Sequence, residues 1–277
     1  IRDRAEILNK QPSTQLIAGA TDIGLWVNKD FQKFENVAFL NQVADFSNIE
    51  ELKDAWQIGA GITIEKLRRW AVLQAPSFAK LLTRYGSTQV RNAATLGGNI
   101  ANGSPIGDSA PALIAMNTEL VIRSAKGQRK IKLEKFFLDY KKQDLNKGEF
   151  LEFLIIPKIN LTVKCYKISK RFDQDISSVC GCFNIILDDG LIKKCIIAFG
   201  GMAGVPKRAK HVESCLLNHR WEEGVLRSCS DTWQKDFTPL SDLRSSSDYR
   251  QTTAHNLLLR YYFETLGANT NVQQVAP

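Results

Sequence analysis

Short apolar runs, separated by polar or glycine-rich segments, mark the first 160 residues of the chain. Runs this short and bounded by turn residues are typical of strands, which are predicted at 16–18, 36–41, 56–62, 119–124, 129–133 and 149–157. Apolar residues at helical spacing predict helices at 64–72, 78–85 and 110–116, the first of them capped by Thr63. Residues 49–52 are polar and predict a turn, and 89–108 predicts a long glycine-rich loop.

The pattern changes near residue 161, where three longer runs with strand character follow one another at 163–170, 177–187 and 191–201. Asp188-Asp189-Gly190 is a hairpin signal, so the runs predict an antiparallel meander. Helical spacing then appears at 211–217, 222–233 and 248–266, with an N-cap from 245–247 and Gly267 at the C′ position. We therefore predict an α+β protein of two domains, 1–160 and 161–277, with a frayed tail at 268–277.

Composition narrows the class of protein without naming a function. The 277 residues are 44% hydrophobic and 24% charged, with a net charge of +8. The basic residues lie in short scattered groups without interleaved aromatics, which argues against nucleic-acid binding. No apolar run is long enough to span a membrane. The start has neither a signal core nor an initiator Met, so we expect a cytoplasmic protein that is part of a longer gene product.

The six cysteines and three histidines all lie in the second half of the chain. The spacing Cys180-Gly-Cys182 is not that of a zinc or redox pair, and no iron–sulfur run is present. We therefore expect free, mostly buried thiols and no metal site.

Two segments rich in small residues each follow or contain an apolar run. We call residues 16–23 the first glycine loop and residues 89–108 the second glycine loop. Gly98 follows Gly19 by 79 positions, so both loops fit within one domain. Glycine lets a main chain approach a ligand closely, so the pair predicts a site for one large anionic cofactor, although from the residues alone both loops also fit simple tight turns.

Other phosphate and catalytic motifs are missing. The sequence has no G-x-G-x-x-G fingerprint, no G-x-x-x-x-G-K-[ST] loop and no local Ser–His pair. A diphosphate held by the two loops would be bound mainly by main-chain N–H groups, with help from Thr21, Thr95 and Asn99.

The order of motifs resembles a known family. LIAGATD, QVRNAATLGGNIANGSPIGD, CYKISKRFDQDIS and IAFGGMAGVPKRA resemble, across nearly the whole chain, the flavin-binding part of the xanthine dehydrogenase and molybdenum hydroxylase family. The resemblance implies an FAD-binding domain of the vanillyl-alcohol-oxidase type, in two α+β lobes. An antiparallel-sheet-plus-helices domain like the C-terminal domain of the carbon monoxide dehydrogenase flavoprotein would follow it.

The resemblance also implies which residues contact FAD. The first glycine loop would wrap the diphosphate, the stretch 95–99 would form a second wall, and Tyr85 would lie against the cofactor. The full implied set is Leu16, Ile17, Ala18, Gly19, Ala20, Thr21, Asp22, Ile23, Tyr85, Thr95, Leu96, Gly97, Gly98, Asn99, Asp108, Leu151 and Lys167. For Asp108 a simple helix cap is the alternative, for Tyr85 a core position, for Leu151 an ordinary strand position and for Lys167 a solvent-facing one.

The implied function is the flavin step of purine oxidation. Electrons would arrive from 2Fe–2S clusters and molybdopterin on partner domains or chains and leave as hydride to NAD⁺, with no catalytic residue on this chain. A hetero-oligomer with a molybdenum-cofactor subunit and an upstream 2Fe–2S domain is expected. The residues 168–177 resemble the loop where NAD docks. Alternatives are a flavoprotein subunit of a carbon monoxide, aldehyde or nicotinate-type hydroxylase and, in another class, a non-catalytic basic binding or scaffold protein.

One expectation comes from the residues themselves. Some related flavoproteins attach FAD through His or Cys, but here no His precedes residue 211 and no Cys precedes residue 165. Neither glycine loop can form such a bond, so non-covalent FAD is predicted.

Overall fold

The computed structural model describes residues 2–41 and 43–270. The helices are α1 (Arg2–Lys10), α2 (Ile23–Asn28), α3 (Ile64–Gln74), α4 (Pro76–Thr83), α5 (Thr88–Ala93), α6 (Leu96–Asn102), α7 (Ser109–Ala115), α8 (Leu133–Phe136), α9 (Lys210–Leu216), α10 (Glu223–Ser228), α11 (Trp233–Asp236) and α12 (Ser247–Thr265). Short 3₁₀ turns occupy Ala44–Ser47, Lys158–Asn160 and Ser230–Thr232.

The strands are β1 (Gln15–Ile17), β2 (Val37–Phe39), β3 (Ile49–Glu51), β4 (Ala55–Gly59), β5 (Glu119–Ser124), β6 (Gly127–Lys132), β7 (Phe137–Asp139), β8 (Lys142–Gln143), β9 (Phe150–Pro157), β10 (Lys164–Ile168), β11 (Val179–Asp188), β12 (Leu191–Gly200) and β13 (Lys207–Arg208).

Two layers build the first part of the molecule. Strands β1 and β2 form a small parallel pair beside α2. A five-stranded antiparallel sheet in the order β3-β4-β9-β5-β6 shares one large apolar core with α3, α4, α6 and α7. The helix α3 begins where predicted, because the Thr63 hydroxyl accepts the Lys66 N–H at 3.2 Å.

The second part is the predicted antiparallel meander, in the order β10-β11-β12-β13. Its β11–β12 turn has Asp189 and Gly190 at φ 49° and 72°, the left-handed conformation that the Asp-Asp-Gly signal predicts. The long helix α12 is capped by Ser246 at one end and followed by Gly267, at φ 87°, at the other. The predicted α+β fold with antiparallel sheets is confirmed.

The meander is buried on both faces. Cys180, Cys182 and Ala198 belong to the first core, whereas Phe183 and Phe199 belong to a second core that the helices α9 to α12 cover. This division follows the two-residue period of side chains along a strand. The sheet therefore contributes to both cores and joins the two parts of the molecule.

Four local predictions need correction. Residues 49–51 are a strand, because β3 pairs with β4 despite its polar composition. The second glycine loop is not a loop but contains most of α5, all of α6 and the turn into α7. The helix predicted at 222–233 is broken into α10, a 3₁₀ turn and α11. Finally, Cys215 and Cys229 form a disulfide, which their 14-residue separation and a Cα–Cα distance of 6.1 Å allow.

The tail that was predicted to fray, residues 268–277, lies outside the described residues from residue 271 onward. Within the described part of the chain, no helix is long and apolar enough to cross a bilayer.

Candidate cofactor site

A cleft of about 220 Å³ lies where the two glycine loops meet. Both loops contribute to its walls, together with the segment that leads into β9. Of the residues implied by the resemblance, those that line the cleft are Leu16, Ala18, Gly19, Ala20, Thr21, Asp22, Ile23, Tyr85, Thr95, Gly97, Gly98, Asn99 and Leu151. Ile17 and Leu96 are buried in the structure behind the walls, and Asp108 and Lys167 pair with each other elsewhere.

The first glycine loop is held by β1 and then passes directly over the second. Ile17 anchors β1 in the apolar interior, and the Leu40 N–H donates to its carbonyl at 2.7 Å. At Gly19 the chain lies so close to α5 that a Cβ atom would be 2.2 Å from the Ala93 carbonyl oxygen. The next residue, Ala20, has φ 57°, an uncommon conformation for a residue with a side chain. Gly19 is therefore required for the two walls to meet.

The second wall is the beginning of α6. Thr95 is its N-cap, and the Thr95 hydroxyl accepts the Gly98 N–H at 3.2 Å. Gly97 turns toward the core, where a Cβ would lie 2.6 Å from the Ala60 Cβ. Gly98 turns the other way, and a Cβ there would approach only the Thr95 hydroxyl, at 2.9 Å. Gly97 thus allows close packing against the core, whereas Gly98 leaves room for a ligand to approach α6.

The main-chain donors of the two walls differ in availability. In α6 the N–H groups of Leu96, Gly97 and Asn99 donate to the carbonyls of Ile62, Ala60 and Thr95. Within the described residues, the N–H groups of 19–22 donate to no protein acceptor. An anionic ligand would therefore find its free main-chain donors in the first glycine loop.

The charges in the cleft are few. Among the residues that the structure describes, no Lys, Arg or His lines it, and its two acids are Asp22 and Glu149. Glu149 is fixed by Arg129, whose Nε and Nη2 donate at 2.8 Å to its two oxygens. The hydrogen bond from Arg129 lowers the pKa of Glu149 to about 2. The Glu149 carboxylate therefore stays ionised, and the Arg129 guanidinium balances its charge.

Tyr85 closes one part of the cleft. Its hydroxyl accepts from the Asn99 side-chain amide at 3.0 Å, and Ser109 donates to the other end of that amide. Burial raises the pKa of Tyr85, and the nearby carboxylates of Asp22 and Asp108 raise it further. The ring is therefore a neutral, fixed part of the cleft wall.

Asp108 and Lys167 form a buried ion pair behind Tyr85. The Lys167 Nζ lies 2.6 Å from the Asp108 Oδ2 and 3.2 Å from the carbonyl of Arg84, and Ser177 donates to Oδ1. Asp108 stands at the N-cap position of α7, as its alternative proposes, but its side chain makes no capping bond and pairs with Lys167 instead. The solvent-facing alternative for Lys167 is wrong, since its side chain is buried.

Hydrogen bonds from Arg84, the residue before Tyr85, hold the segment 168–177 next to this ion pair. Arg84 donates to the Lys167 carbonyl at 2.7 Å, the Ser169 hydroxyl at 2.8 Å and the Phe172 carbonyl at 2.9 Å. The Phe172 ring lies 5.1 Å from the guanidinium and is 60% exposed. A segment next to the cleft thus presents an exposed ring on a fixed main chain.

Several lining residues were missed by the sequence analysis, including Gln15, Trp26, Phe46, Ala60, Leu145, Glu149 and Phe150. For Trp26 a signal existed: it lies four residues after Asp22, one helical turn further along the same face of α2. Gln15 directly precedes Leu16, and Glu149 and Phe150 directly precede Leu151, whereas Phe46, Ala60 and Leu145 come from other parts of the chain. No Cys lines the cleft, and no group of His, Cys, Asp or Glu in the described residues could hold a metal ion.

Comparisons with known proteins agree with this architecture. Residues 1–159 match the family model described as the FAD binding domain in molybdopterin dehydrogenase, and residues 164–265 match the CO dehydrogenase flavoprotein C-terminal domain. The putative xanthine dehydrogenase FAD-binding subunit XdhB of Escherichia coli K12 is 26% identical, over 97% of this chain and 94% of that protein.

Two further comparisons bear on the range of relatives. Nicotinate hydroxylase hnxS of Emericella nidulans is 29% identical over 95% of this chain, which spans only about a fifth of that protein's length (21%). A chain of carbon monoxide dehydrogenase from Hydrogenophaga pseudoflava has the same fold, with a TM-score of 0.86 at 23% identity, covering 94% of this chain and 92% of that one.

Proposed function

The chain belongs to the FAD-binding family of molybdopterin dehydrogenases, and we propose that it is the flavin component of a xanthine dehydrogenase. One observation carries the proposal: the two glycine loops meet in a cleft where free main-chain donors face an open glycine wall. This is the arrangement that a dinucleotide diphosphate needs when no lysine or arginine is present.

Each wall has a proposed role. The N–H groups of 19–22 would hold the diphosphate, and the open face of Gly98 would let the cofactor approach α6. The Tyr85 ring, which Asn99 fixes, would support the cofactor from one side. Leu16, Ile17, Ala18, Ile23, Thr95, Leu96, Gly97 and Leu151 shape the walls or support them, and Asp108 and Lys167 complete the site on the far side of Tyr85.

FAD would supply the redox chemistry, accepting electrons from 2Fe–2S clusters and delivering them as hydride to NAD⁺. The protein binds, orients and shields the cofactor, and we assign no acid or base to its side chains. The clusters and the molybdenum cofactor would belong to partners: a 2Fe–2S domain or chain and a molybdenum subunit. The resulting hetero-oligomer would work in the cytoplasm on hypoxanthine or xanthine.

A second candidate is the flavin component of a carbon monoxide, aldehyde or nicotinate hydroxylase. The similarity to a nicotinate hydroxylase, at 29% identity, favours this candidate as much as the XdhB similarity, at 26%, favours the first. Both candidates use the same FAD site and differ in the partner's substrate and in the electron acceptor.

The FAD assignment is tested by reconstitution. Purified chain is incubated with FAD, desalted and scanned, and we expect flavin absorbance at about one equivalent per chain. Acid precipitation should release all of it, as non-covalent binding requires. Protein that stays colourless would support the non-catalytic scaffold class, and flavin that remains on the precipitated chain would contradict the non-covalent site.

The acceptor is tested separately on FAD-loaded chain. NADH is mixed with the protein and an artificial electron acceptor, and dye reduction is followed. Turnover with NADH supports the xanthine dehydrogenase candidate. A chain that holds FAD but does not react with NADH would favour the hydroxylase candidate. Oxidation of hypoxanthine by the isolated chain would contradict the assignment of that step to a partner.

A further inference from the structure

Three cysteines lie together on the face of the meander that packs against the first core. Cys165 of β10 is directly opposite Cys182 of β11, and the next pair on that face is Lys167 opposite Cys180. Cys180 and Cys182 are completely buried, whereas Cys165 is partly exposed. The cluster therefore has one partly exposed cysteine and a buried cysteine directly across from it.

The strand register brings Cys165 and Cys182 directly opposite each other. The Cys165 N–H donates at 2.9 Å to the Ser77 hydroxyl, and the Lys167 carbonyl accepts from Arg84. Both residues thus direct main-chain groups away from β11, which makes Cys165–Cys182 a non-hydrogen-bonded pair. Such pairs have Cα atoms about 4.5 Å apart, within the range that disulfides span.

Cys180 is not equivalent to its neighbour. It faces Lys167 across the strands, and its Sγ is directed at the Asp108 carbonyl, 3.8 Å away. Burial raises the pKa of the Cys182 thiol, and the adjacent Cys165 and Cys180 thiols raise it further. Cys182 therefore stays protonated in the resting protein, so the first attack on a reagent belongs to the partly exposed Cys165.

We infer that Cys165 and Cys182 are a redox-active dithiol that a low-molecular-weight disulfide oxidises to a cross-strand disulfide. Cys165 loses its proton and attacks one sulfur of the reagent, so that a mixed disulfide forms and one thiol leaves with a proton. Cys182 then attacks the Cys165 Sγ and releases the second thiol. Two protein thiols lose two electrons and two protons, and the reagent gains both.

The position of the pair links it to the cofactor cleft. Cys165 is two residues from Lys167 on the same strand face, and Lys167 holds both Asp108 and the carbonyl of Arg84, the residue before Tyr85. Forming the S–S bond changes the side-chain packing beside this ion pair and so alters the support of the Tyr85 wall. This consequence rests on the proposed FAD site. We expect oxidation to raise the FAD dissociation constant about tenfold, because groups that share contacts influence one another by about this amount.

Thiol counting tests the inference on the full chain without requiring flavin. The protein is treated with oxidised glutathione, quenched with an alkylating agent, denatured and counted. Untreated protein should show the four thiols of Cys165, Cys180, Cys182 and Cys195, and treated protein two. Trypsin separates Cys165, in peptide 165–167, from Cys180 and Cys182, in peptide 172–193. Fragmentation at Gly181 then identifies the linked cysteine.

Cys182→Ala and Cys180→Ala are matched variants, because both remove a buried thiol from the same strand. The first should abolish the cross-link and the second should keep it. Four thiols after treatment, or a link through Cys180, would overturn the inference, and wild-type mapping decides this even if a variant does not fold. A cross-linked protein with unchanged FAD affinity would overturn the coupling to the cleft. A protein that cross-links but never binds FAD would contradict the proposed function and leave the dithiol standing.

Discussion

The two glycine loops have similar compositions but different structures. The first is the end of β1 followed by a turn, in which the N–H groups of 19–22 are unused and Ala20 has a left-handed conformation. The second is helical, and its N–H groups at 96–99 already donate within the protein. Free main-chain donors therefore lie in the first wall, whereas both walls use glycine for close packing, at Gly19 and at Gly97. Composition alone does not distinguish these uses, because both need the absence of a Cβ.

The largest effect is expected where the loops touch. In Gly19→Ala the new Cβ would lie 2.2 Å from the Ala93 carbonyl oxygen, so the first loop must move away. We expect FAD affinity to fall by about a hundredfold or more, equivalent to about 2.7 kcal/mol or more. Flavin fluorescence titration measures this. Gly24→Ala is the control, because a Cβ there meets nothing within 4 Å. Wild-type affinity in Gly19→Ala would show that the contact is not needed.

The adjacent glycines of α6 should respond in opposite ways. Gly97→Ala drives a Cβ into Ala60, and we expect the free energy of unfolding to fall by about 1–3 kcal/mol. Gly98→Val fills the open wall, and we expect it to abolish FAD retention. Its fold should remain, with a cost of about 1 kcal/mol from crowding the Thr95 cap. Denaturant unfolding and desalted flavin content measure the two effects. Gly98→Val with full FAD content would remove α6 from the site.

A smaller effect is expected from Tyr85→Phe. The ring stays in the wall, but the Asn99 amide loses its acceptor at 3.0 Å. We expect FAD affinity to fall about three- to tenfold, as loss of one hydrogen bond of about 1 kcal/mol implies. Tyr85→Ala should cost more, because it also removes the ring. Equal effects of the two substitutions would mean that the hydroxyl alone matters.

The smallest expected effect is that of salt. No cationic side chain among the described residues lines the cleft. Salt therefore has little charge–charge attraction between the protein and the FAD diphosphate to screen. We expect the FAD dissociation constant to change less than about twofold between about 0.05 and 0.5 M NaCl. A steep loss of affinity with salt would point to a lysine or arginine that reaches the diphosphate from outside the cleft.

Local signals predicted most of the fold correctly. Thr63 caps the start of α3, Ser246 caps the start of α12, and Asp189-Gly190 forms the turn between β11 and β12. These features were predictable because capping and turn geometry depend on a few adjacent residues. The failures are equally physical. The strand β3 is polar and exists because it pairs with β4, and the helices within 89–108 exist despite their glycines because the core packs against them.

The candidate site was only partly predictable. The two loops were identified from composition and resemblance, and thirteen of the seventeen implied residues line the cleft. Phe46 was missed because it reaches the cleft from the 3₁₀ turn Ala44–Ser47, outside both loops. The disulfide between Cys215 and Cys229 was missed because the prediction of free thiols rested on an assumed compartment, whereas pairing depends on how α9 and α10 pack.

The sequence by itself determined where the chain can turn, which faces are apolar, which loops lack a Cβ and that neither loop carries a His or Cys for a covalent flavin. Tertiary structure alone decided that Gly19 rests on Ala93, that Gly97 and Gly98 face opposite sides, and that Asp108 pairs with Lys167. Propensity acts over a few neighbouring residues. Contact between residues 59 or 74 positions apart is set by packing, which no local pattern encodes.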